Sequence, residues 1–577
     1  MSQSLRAAEL GQDGESIDFE FEGRQIRGRR GESLAAALMA AGEREFRITK
    51  EGARRGLFCG MGVCQECLVE IDGRPGERAC MTKLDRPIAV KRQPFLPQAR
   101  EIAAMPLSDG DGDILAPDIL VLGGGAGGLN AAIAAAEAGA NVLVVDERPV
   151  AGGQFFKQRL EASGLGAAIA DDAQFAGGRA LIARARAAGV TMMQGAQVWG
   201  AFEPLELMLF DGTGSRLCRP KRLIVATGAY ERGLPVPGWT LPGVMTTGAA
   251  QTLLRSYGVL AGRRLLVAGN GPLNLQVALE LARAGAEILA VAELSAKPGG
   301  RSLGALLRMA SSTPDLLRQG WRYQAELARR GIPFLYGHVL AEVEKSAGGL
   351  SARLAPWPRA DHVETRPFAV DAVLMGYGFM PSNEILRALG CRHGFDPARG
   401  HLVCERDGNC RTSVVDIYAA GDCAGLGGAR AAETEGRIAG SAAARSLGLV
   451  PSREQRREIK AARLALHRHR RFQSGLWQLF AAPRPGTELA HPSTFICRCE
   501  ERTMSDIGES FAGAPQGIGA IKRATRAGMG RCQGRYCGPI LASMAAELQG
   551  GDLDEAAFWA PRPPVKPMTI AQIIAGG

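Results

Sequence analysis

Residues 118–148 constrain the fold more than any other stretch. A continuous apolar run, Ile119–Leu122, has the character of a strand buried on both faces. It is followed by Gly123-x-Gly125-x-x-Gly128, an alanine-rich helix ending near Gly139, and a second apolar run, 142–145, that ends in Asp146. The first glycine permits a tight turn, the second lets backbone approach a pyrophosphate, and the third lets helix and strand pack closely. Phosphate charge would sit at the helix N-terminus, where free N–H groups and the dipole favour an anion. Asp146 is placed to accept hydrogen bonds from ribose hydroxyls. A glycine fingerprint alone is weak. Strand, turn, helix, strand and acid in this order predict a dinucleotide site rather than a purely structural βαβ unit.

The 577 residues exceed one core, and length alone suggests about three or four domains. A formal net charge of +10 admits nucleic acid, an anionic membrane or an acidic partner. No aromatic-interleaved basic groove marks a nucleic-acid site, and a soluble basic surface is the plainer reading. Residues 1–23 hold no apolar core for a signal peptide. No run reaches the ~20 apolar residues of a membrane span. These features predict a cytoplasmic protein. Thirteen cysteines in that compartment argue for metal ligands or redox chemistry rather than structural disulfides.

An N-terminal domain is expected over 15–98, with a linker over 99–116. Residues 17–26 alternate around Glu22-Gly23 as a hairpin. A helix then starts at Gly31-Glu32-Ser33 and ends at Gly42. Cys59, Cys64, Cys67 and Cys80 form C-x4-C-x2-C-x12-C, and the first three match plant-type ferredoxin spacing. A [2Fe–2S] cluster needs four thiolates in one small volume, with backbone N–H groups near its sulfurs, which Gly60 and Gly62 would supply. Structural zinc and buried reduced thiols are the alternatives; zinc sites more often present paired short knuckles. The module resembles the ferredoxin-like modules of bacterial amine and opine dehydrogenases and of hydrogen cyanide synthase.

The body is expected as a nucleotide-binding domain in two parts, 117–240 and 371–450, around an insertion, 241–370. After the first motif comes Asp146-Glu147-Arg148, then Gly152-Gly153-Gln154. A buried strand then meets the small-residue turn Thr227-Gly228, and an apolar strand delivers Gly421-Asp422 to its C-terminal end. Alone, Asp422 could equally be an N-cap. In this order the elements resemble two-dinucleotide-domain flavoproteins of the glutathione-reductase type. That resemblance implies FAD, with Asp422 at the ribitol, Asp146 at the adenosine ribose, and Gly123, Gly125, Gly128, Glu147, Arg148, Gly153, Gln154, Thr227, Gly228 and Gly421 around the cofactor. The insertion repeats strand, turn and helix at 265–283 and implies a nicotinamide domain. Asn274 replaces its third glycine, which should obstruct helix–strand packing and puts NAD(P) binding in doubt. Between Gly128 and Glu293 the only cysteine is Cys218, so dithiol chemistry against the flavin is not expected.

A basic connector helix is expected over 451–490. Its plain reading is a solvated surface. The sharper one is docking on a partner or on anionic lipid, which would place the chain against the inner face of the cell membrane. Over 491–548, Cys497, Cys499, Cys532 and Cys537 form C-x-C-x32-C-x4-C, and 549–577 reads as a tail. Residues two apart on an extended chain point to one side, so both thiols of C-x-C can reach one centre. Gly528, Gly530 and Gly534 offer backbone donors. The pattern resembles the bacterioferritin-associated-ferredoxin module, a small helical [2Fe–2S] domain; zinc is the runner-up. Lys522, Arg523, Arg526, Arg531 and Arg535 should raise its reduction potential.

The expected fold is α/β: a glutathione-reductase-like flavoprotein with an N-terminal ferredoxin-like α+β domain and a small C-terminal helical [2Fe–2S] domain. Read along the chain, a flavin lies between two one-electron centres. The whole resembles a ferredoxin-like subunit fused to the FAD subunit of hydrogen cyanide synthase and of the opine and D-hydroxyproline dehydrogenases, the run 226–251 being most specific after the cysteines. This implies an electron-transfer subunit in a hetero-oligomer. A D-amino-acid-oxidase-like FAD partner would oxidise the C–N bond, and a quinone or other carrier would accept the electrons. No residue of this chain is read as catalytic for amine oxidation. The alternatives are a self-sufficient NAD(P)H-dependent reductase and a metal-containing regulatory binder.

Overall fold

The computed structural model describes residues 4–7, 15–96, 114–159, 172–202, 205–358, 367–512 and 517–574. The linker expected over 99–116 falls almost entirely outside them.

In the N-terminal domain, Ser16–Phe21 and Arg24–Arg29 form the expected hairpin. Its turn residues Glu22 and Gly23 both have positive φ, the conformation that matches strand twist in a two-residue loop. Ser16–Phe21 also pairs in parallel with Ala89–Arg92, and Leu68–Ile71 and Arg74–Arg78 complete a five-stranded sheet. The helix Leu34–Ala40 begins where Ser33 accepts a hydrogen bond from the Ala36 N–H, and all seven of its residues are buried. The core of this domain continues without a break into Ala249, Leu253 and Leu254 of helix Thr247–Tyr257 in the body. The ferredoxin-like unit is therefore fastened to the insertion by apolar burial.

The first nucleotide fold is a parallel sheet in the order Thr191–Gln194, Val142–Asp146, Ile119–Leu122, Arg222–Val225, Ile417–Ala419. All four residues of Ile119–Leu122 are buried, as the unbroken apolar run requires. The fingerprint helix Ala126–Ala136 packs on helix Ala429–Ser446 through small residues. A Cβ on Gly436 would lie 2.1 Å from the Gly127 carbonyl oxygen, and one on Gly440 would lie 2.0 Å from that of Ala131. The insertion holds a second parallel sheet, in the order Val244–Thr246, Ala372–Gly376, Arg264–Gly269, Glu287–Glu293, Phe334–Tyr336.

Helix Arg453–Leu479 opens with a capping box between Ser452 and Gln455. It buries Ala462, Leu466, Phe472 and Gly475. Gly475 crosses helix Leu303–Ser312 so closely that a Cβ would meet the Ala305 carbonyl oxygen at 2.9 Å. Its buried apolar positions thus face the body, while its arginines face outward. Among the described residues no helix is long and apolar enough to cross a membrane.

The C-terminal domain carries helices Met504–Ala512, Ile518–Thr525 and Cys537–Gln549. The segment after them, expected as a tail, straps the domain to the flavin body. The Trp559 ring lies across Gly528 and Gly534. The Val565 N–H donates to the Trp199 carbonyl, and Ser215 Oγ donates to the Gln572 carbonyl.

The two helix glycines Gly440 and Gly304 should respond oppositely to alanine. Gly440→Ala forces apart a closed helix crossing and should lower stability by about 1–3 kcal/mol. Gly304→Ala, where the added Cβ meets nothing within 4 Å, should raise it by about 0.5–1 kcal/mol. Thermal unfolding followed by flavin release checks this; equal effects would refute the close-packed crossing.

Candidate functional site: a flavin cradle and two four-cysteine sites

Three backbone turns meet at the C-terminal edge of the first sheet. A Cβ on Gly123 would lie 2.4 Å from the Ala226 carbonyl oxygen, so only glycine lets the fingerprint turn reach the turn that carries Thr227 and Gly228. Gly153, at φ +63, would place its Cβ 2.7 Å from the Gly125 Cα, which lays the Gly152-Gly153-Gln154 turn on the fingerprint. Gly128 packs against Gly123, where a Cβ would sit 1.7 Å from its carbonyl oxygen. Asp146 accepts hydrogen bonds from the N–H groups of Gly124 (2.6 Å) and Arg148 (2.7 Å). Burial pushes its carboxyl up against those two bonds. Arg148 donates to the Gly153 carbonyl at 3.1 Å. Thr227 Oγ1 donates to the Ser382 carbonyl, and the Gly421 N–H donates to Glu435. Asp422 Oδ1 accepts from the N–H groups of both Gly427 and Gly428, so this acid does cap the following turn.

The structure thus brings together Gly123, Gly125, Gly128, Asp146, Arg148, Gly153, Gln154, Thr227, Gly228, Gly421 and Asp422. Glu147, beside Asp146, forms an ion pair with Lys566 of the C-terminal strap. Burial would raise its pKa, but that pair and the charges of Arg78 and Arg535 hold it below the ordinary value.

Two buried titratable groups that no sequence motif marks flank the cradle. Lys157 donates to the Gln154 carbonyl (2.8 Å) and to Gln251 Oε1 (2.7 Å), and burial lowers it to about 7. Glu231 Oε2 accepts from the Gly248 N–H at 2.8 Å, its Oε1 has no partner, and burial raises it to about 7. Glu231 and Gln251 both lie in the run 226–251, but nothing in its pattern announces a role for either.

In the insertion, Asn274 does not obstruct packing. It is buried, accepts from Thr247 Oγ1 (2.9 Å) and donates to the Gly376 carbonyl (3.0 Å). Gly269 and Gly376 on neighbouring strands make its room, since a Cβ on either would come within 2.5 Å of the Asn274 amide. Glu293 accepts from the N–H groups of Gly271 and Ser295 and from the Asn270 side chain. That Asn270 amide also donates to the Phe480 carbonyl at the end of the connector helix. The acid at the end of this strand thus bonds its own glycine turn, as Asp146 does in the first fold.

Around the first cysteine motif, Gly60, Gly62 and Gln65 all have positive φ and coil the loop inward. The N–H groups that reach Cys59 Sγ are those of Met61 (3.5 Å) and Cys64 (3.4 Å), with Val63 close by. The glycines supply the turn that presents these donors. Burial works to raise Cys59, but Cys64 and these N–H groups bring it down to about 6. Cys80 shares a thiol hydrogen bond with Cys67, which together with burial raises its pKa. In the second motif Cys497 Sγ lies 3.9 Å from Cys499 Sγ, and Cys499 Sγ lies 3.6 Å from Cys532 Sγ. Bonds from Cys499 and Cys537 hold Cys497 well below the ordinary thiol value, helped by the N–H groups of Gly528 and Glu500. Gly530 passes Cys499 so tightly that a Cβ would lie 2.4 Å from Sγ. Of the nearby basic residues, Arg526 pairs with Glu500, Arg535 with Glu384, and Lys522 lies over Trp559; Arg531 feels the Cys499 charge.

Among the described residues no group of three or more His, Cys, Asp or Glu closes on a point for a single ion. The first set instead comes as two pairs, Cys59 with Cys64 and Cys67 with Cys80. In the second set Cys497 touches Cys499 and Cys537, and Cys499 touches Cys532. A two-iron cluster divides four thiolates between its metals, and this donor set fits it.

Comparison with known proteins agrees with this anatomy. Residues 117–439 match the pyridine nucleotide-disulphide oxidoreductase model, 14–94 the 2Fe-2S iron-sulfur cluster binding domain, and 491–577 the sarcosine oxidase A3 domain. The opine oxidase A-subunit of Rhizobium meliloti (strain 1021) is 34% identical over 461 residues, 79% of this chain and 98% of that one. The chain belongs to the opine oxidase A-subunit family. The HcnB subunit of hydrogen cyanide synthase from Pseudomonas aeruginosa is 32% identical over 72% of this chain and 90% of its own length. The alpha subunit of sarcosine oxidase from Rhizobium meliloti (strain 1021) is 24% identical over 96% of this chain but only 57% of its own length. L-Proline dehydrogenase from P. horikoshii shares the fold across 98% of this chain and 99% of its own, with a TM-score of 0.71 at 19% identity. This member of the opine oxidase A-subunit family is an FAD- and [2Fe–2S]-dependent oxidoreductase subunit.

The buried acid and base give a stability profile with a known sign. Raising Glu231 to about 7 stabilises the fold fully below its unfolded pKa of about 4.5, relative to higher pH, and that contribution is lost as pH rises through about 7. Lowering Lys157 to about 7 imposes a penalty that is relieved as pH rises from about 7 toward its unfolded value of about 10.5. Stability should therefore pass through a shallow minimum near neutral pH. In Glu231→Gln/Lys157→Met the minimum should disappear from unfolding midpoints taken between pH 5 and 10; an unchanged profile would refute the assignment.

Proposed function

We propose that this chain is the electron-transfer subunit of a multi-subunit dehydrogenase that oxidises the C–N bond of an amine, imino acid or opine. In this reading FAD lies in the cradle of Gly123, Gly125, Gly128, Gly153, Thr227, Gly228, Gly421 and Asp422, with Asp146 at the adenosine ribose. One [2Fe–2S] cluster is held by Cys59, Cys64, Cys67 and Cys80, and a second by Cys497, Cys499, Cys532 and Cys537. Flavin accepts electrons in pairs and each cluster passes them singly, so the bound groups would convert a two-electron oxidation into one-electron traffic. The chain's own residues shape the turns, bury the thiolates and supply N–H donors to the sulfurs.

The observation that carries the reading is the presence of two separate four-cysteine sites packed on one flavin fold. A nicotinamide-driven reductase is less well supported, because Asn274 stands in place of the third glycine and the Asn270 side chain is held by Glu293 and the Phe480 carbonyl. By name, the relatives from opine oxidase, hydrogen cyanide synthase and sarcosine oxidase are each one part of a larger enzyme, which supports a hetero-oligomer. A D-amino-acid-oxidase-like flavoprotein has the chemistry to be the partner, and a quinone or other carrier would be the acceptor. A cavity of about 560 Å³ beside the second cysteine site is lined by Arg387, Lys522, Arg523 and Arg562 and gives an anionic carrier a place to approach.

The purified chain should contain FAD and about four irons and four acid-labile sulfides. Cys497→Ser should lose about half the iron and keep the flavin. NADH added anaerobically should leave the flavin absorbance unchanged, whereas an opine or imino acid should bleach it only when the co-expressed partner is present. Rapid bleaching by NADH, or iron without sulfide, would sink the proposal.

A further inference from the structure

Read along the chain, the two cysteine motifs lie on either side of the flavin fold. In space they touch. Arg498 sits between Cys497 and Cys499 in sequence and is 5% exposed. Its Nε donates to Glu66 Oε1 at 3.2 Å, and Glu66 sits between Cys64 and Cys67. Its guanidinium lies 3.8 Å from the centroid of Phe58, the residue before Cys59, and 4.5 Å from that of Trp239, whose carbonyl accepts from Nη1 at 2.7 Å. Phe58 also meets Tyr536, the residue before Cys537, with ring centroids 5.4 Å apart at 68°. Each motif therefore reaches the other twice, once through an ion pair and once through a ring contact.

The charges in this seam are buried and unequal. Glu66 accepts from Arg47 Nη2 at 2.6 Å as well as from Arg498, and Arg55 lies 4.0 Å away. Arg55 also donates to Glu501 Oε1 at 3.0 Å. Three arginines against two glutamates leave one net positive charge (3 − 2 = 1). Four thiolates on each side are anionic, and two anionic centres pressed together repel one another strongly away from water. A cationic seam offsets that repulsion. Arg47 is close enough to feel both Cys64 and Cys499.

We propose that Arg498 is a positioning residue shared by both cysteine sites. It locks the loop of Cys497 and Cys499 onto the loop of Cys59, Cys64 and Cys67, so that single electrons pass directly between the two centres across the Phe58–Tyr536 contact. In that step one centre is oxidised by one electron and the other reduced by one, and no bond forms or breaks. The flavin is then not an obligatory stop between them. The inference rests on the presence of two clusters.

Electron paramagnetic resonance on the full chain, reduced stepwise with dithionite under anaerobic conditions, tests it. When both centres are reduced, their signals should be split or broadened by mutual spin coupling relative to the half-reduced protein. Two signals that merely add would overturn the proposal, provided that iron and sulfide stand at about four each. If they stand at half that, the two-cluster reading fails instead. Arg498→Met should shift the midpoint potentials of both centres downward, because a cation that stabilises both reduced states is gone. Glu66→Gln should shift both upward. A shift confined to the centre nearest the substituted residue would overturn the shared role, and the wild-type spectrum decides the matter even if Arg498→Met fails to fold.

Discussion

A carboxylate buried among three arginines is the constraint on which the arrangement of this molecule depends. Glu66 is 1% exposed, and a charge so placed is tolerated only where opposite charge and hydrogen bonds surround it. Its partners come from the N-terminal domain, Arg47 and Arg55, and from the C-terminal domain, Arg498. Removing any one of them would take a cationic partner from a carboxylate that water does not reach. The ends of the chain are thus held to one geometry by electrostatic need, while apolar burial along helix Thr247–Tyr257 joins the N-terminal domain to the body. The ion-pair seam adds directional specificity to an interface whose holding energy is hydrophobic.

The flavin cradle is governed by a different requirement, close approach of backbone to backbone. Gly123 against Ala226, Gly153 against Gly125 and Gly128 against Gly123 each leave no room for a methyl group. The same economy of side chains recurs where the fingerprint helix crosses helix Ala429–Ser446. The second nucleotide fold keeps the topology and changes the chemistry of its turn. There Asn274 bonds Thr247 and the Gly376 carbonyl, Glu293 takes the Gly271 N–H, and the Phe480 carbonyl at the end of the connector helix accepts from the Asn270 side chain. One architecture thus carries two different turn chemistries in the same chain.

Much of this is legible in the order of residues, because the relevant physics is local. A strand, a glycine turn and a helix follow one another within some thirty positions, and C-x4-C-x2-C closes within nine, so spacing alone carries the geometry. What the order of residues hides is long-range. Arg498 and Glu66 are 432 positions apart, and no periodicity links them. Glu147 follows Asp146 and reads as a cofactor residue for that reason, yet its partner Lys566 lies 419 positions on. Asn274 reads as a wedge between helix and strand, but the compensating glycines stand at 269 and 376. Chain order also sets the first nucleotide fold between two four-cysteine motifs, whereas the fold brings those motifs side by side.

The strap formed by residues 558–574 has a temporal meaning. Trp559 shields the glycines that flank Cys532, and Lys566 reaches back to Glu147 in the first nucleotide fold, whose sheet is completed only by Ile417–Ala419. A ribosome releases a chain from its amino end, and domains fold as they emerge. The glycine loop around Cys532 therefore stays uncovered until Trp559 has been translated, after all four cysteines of that site.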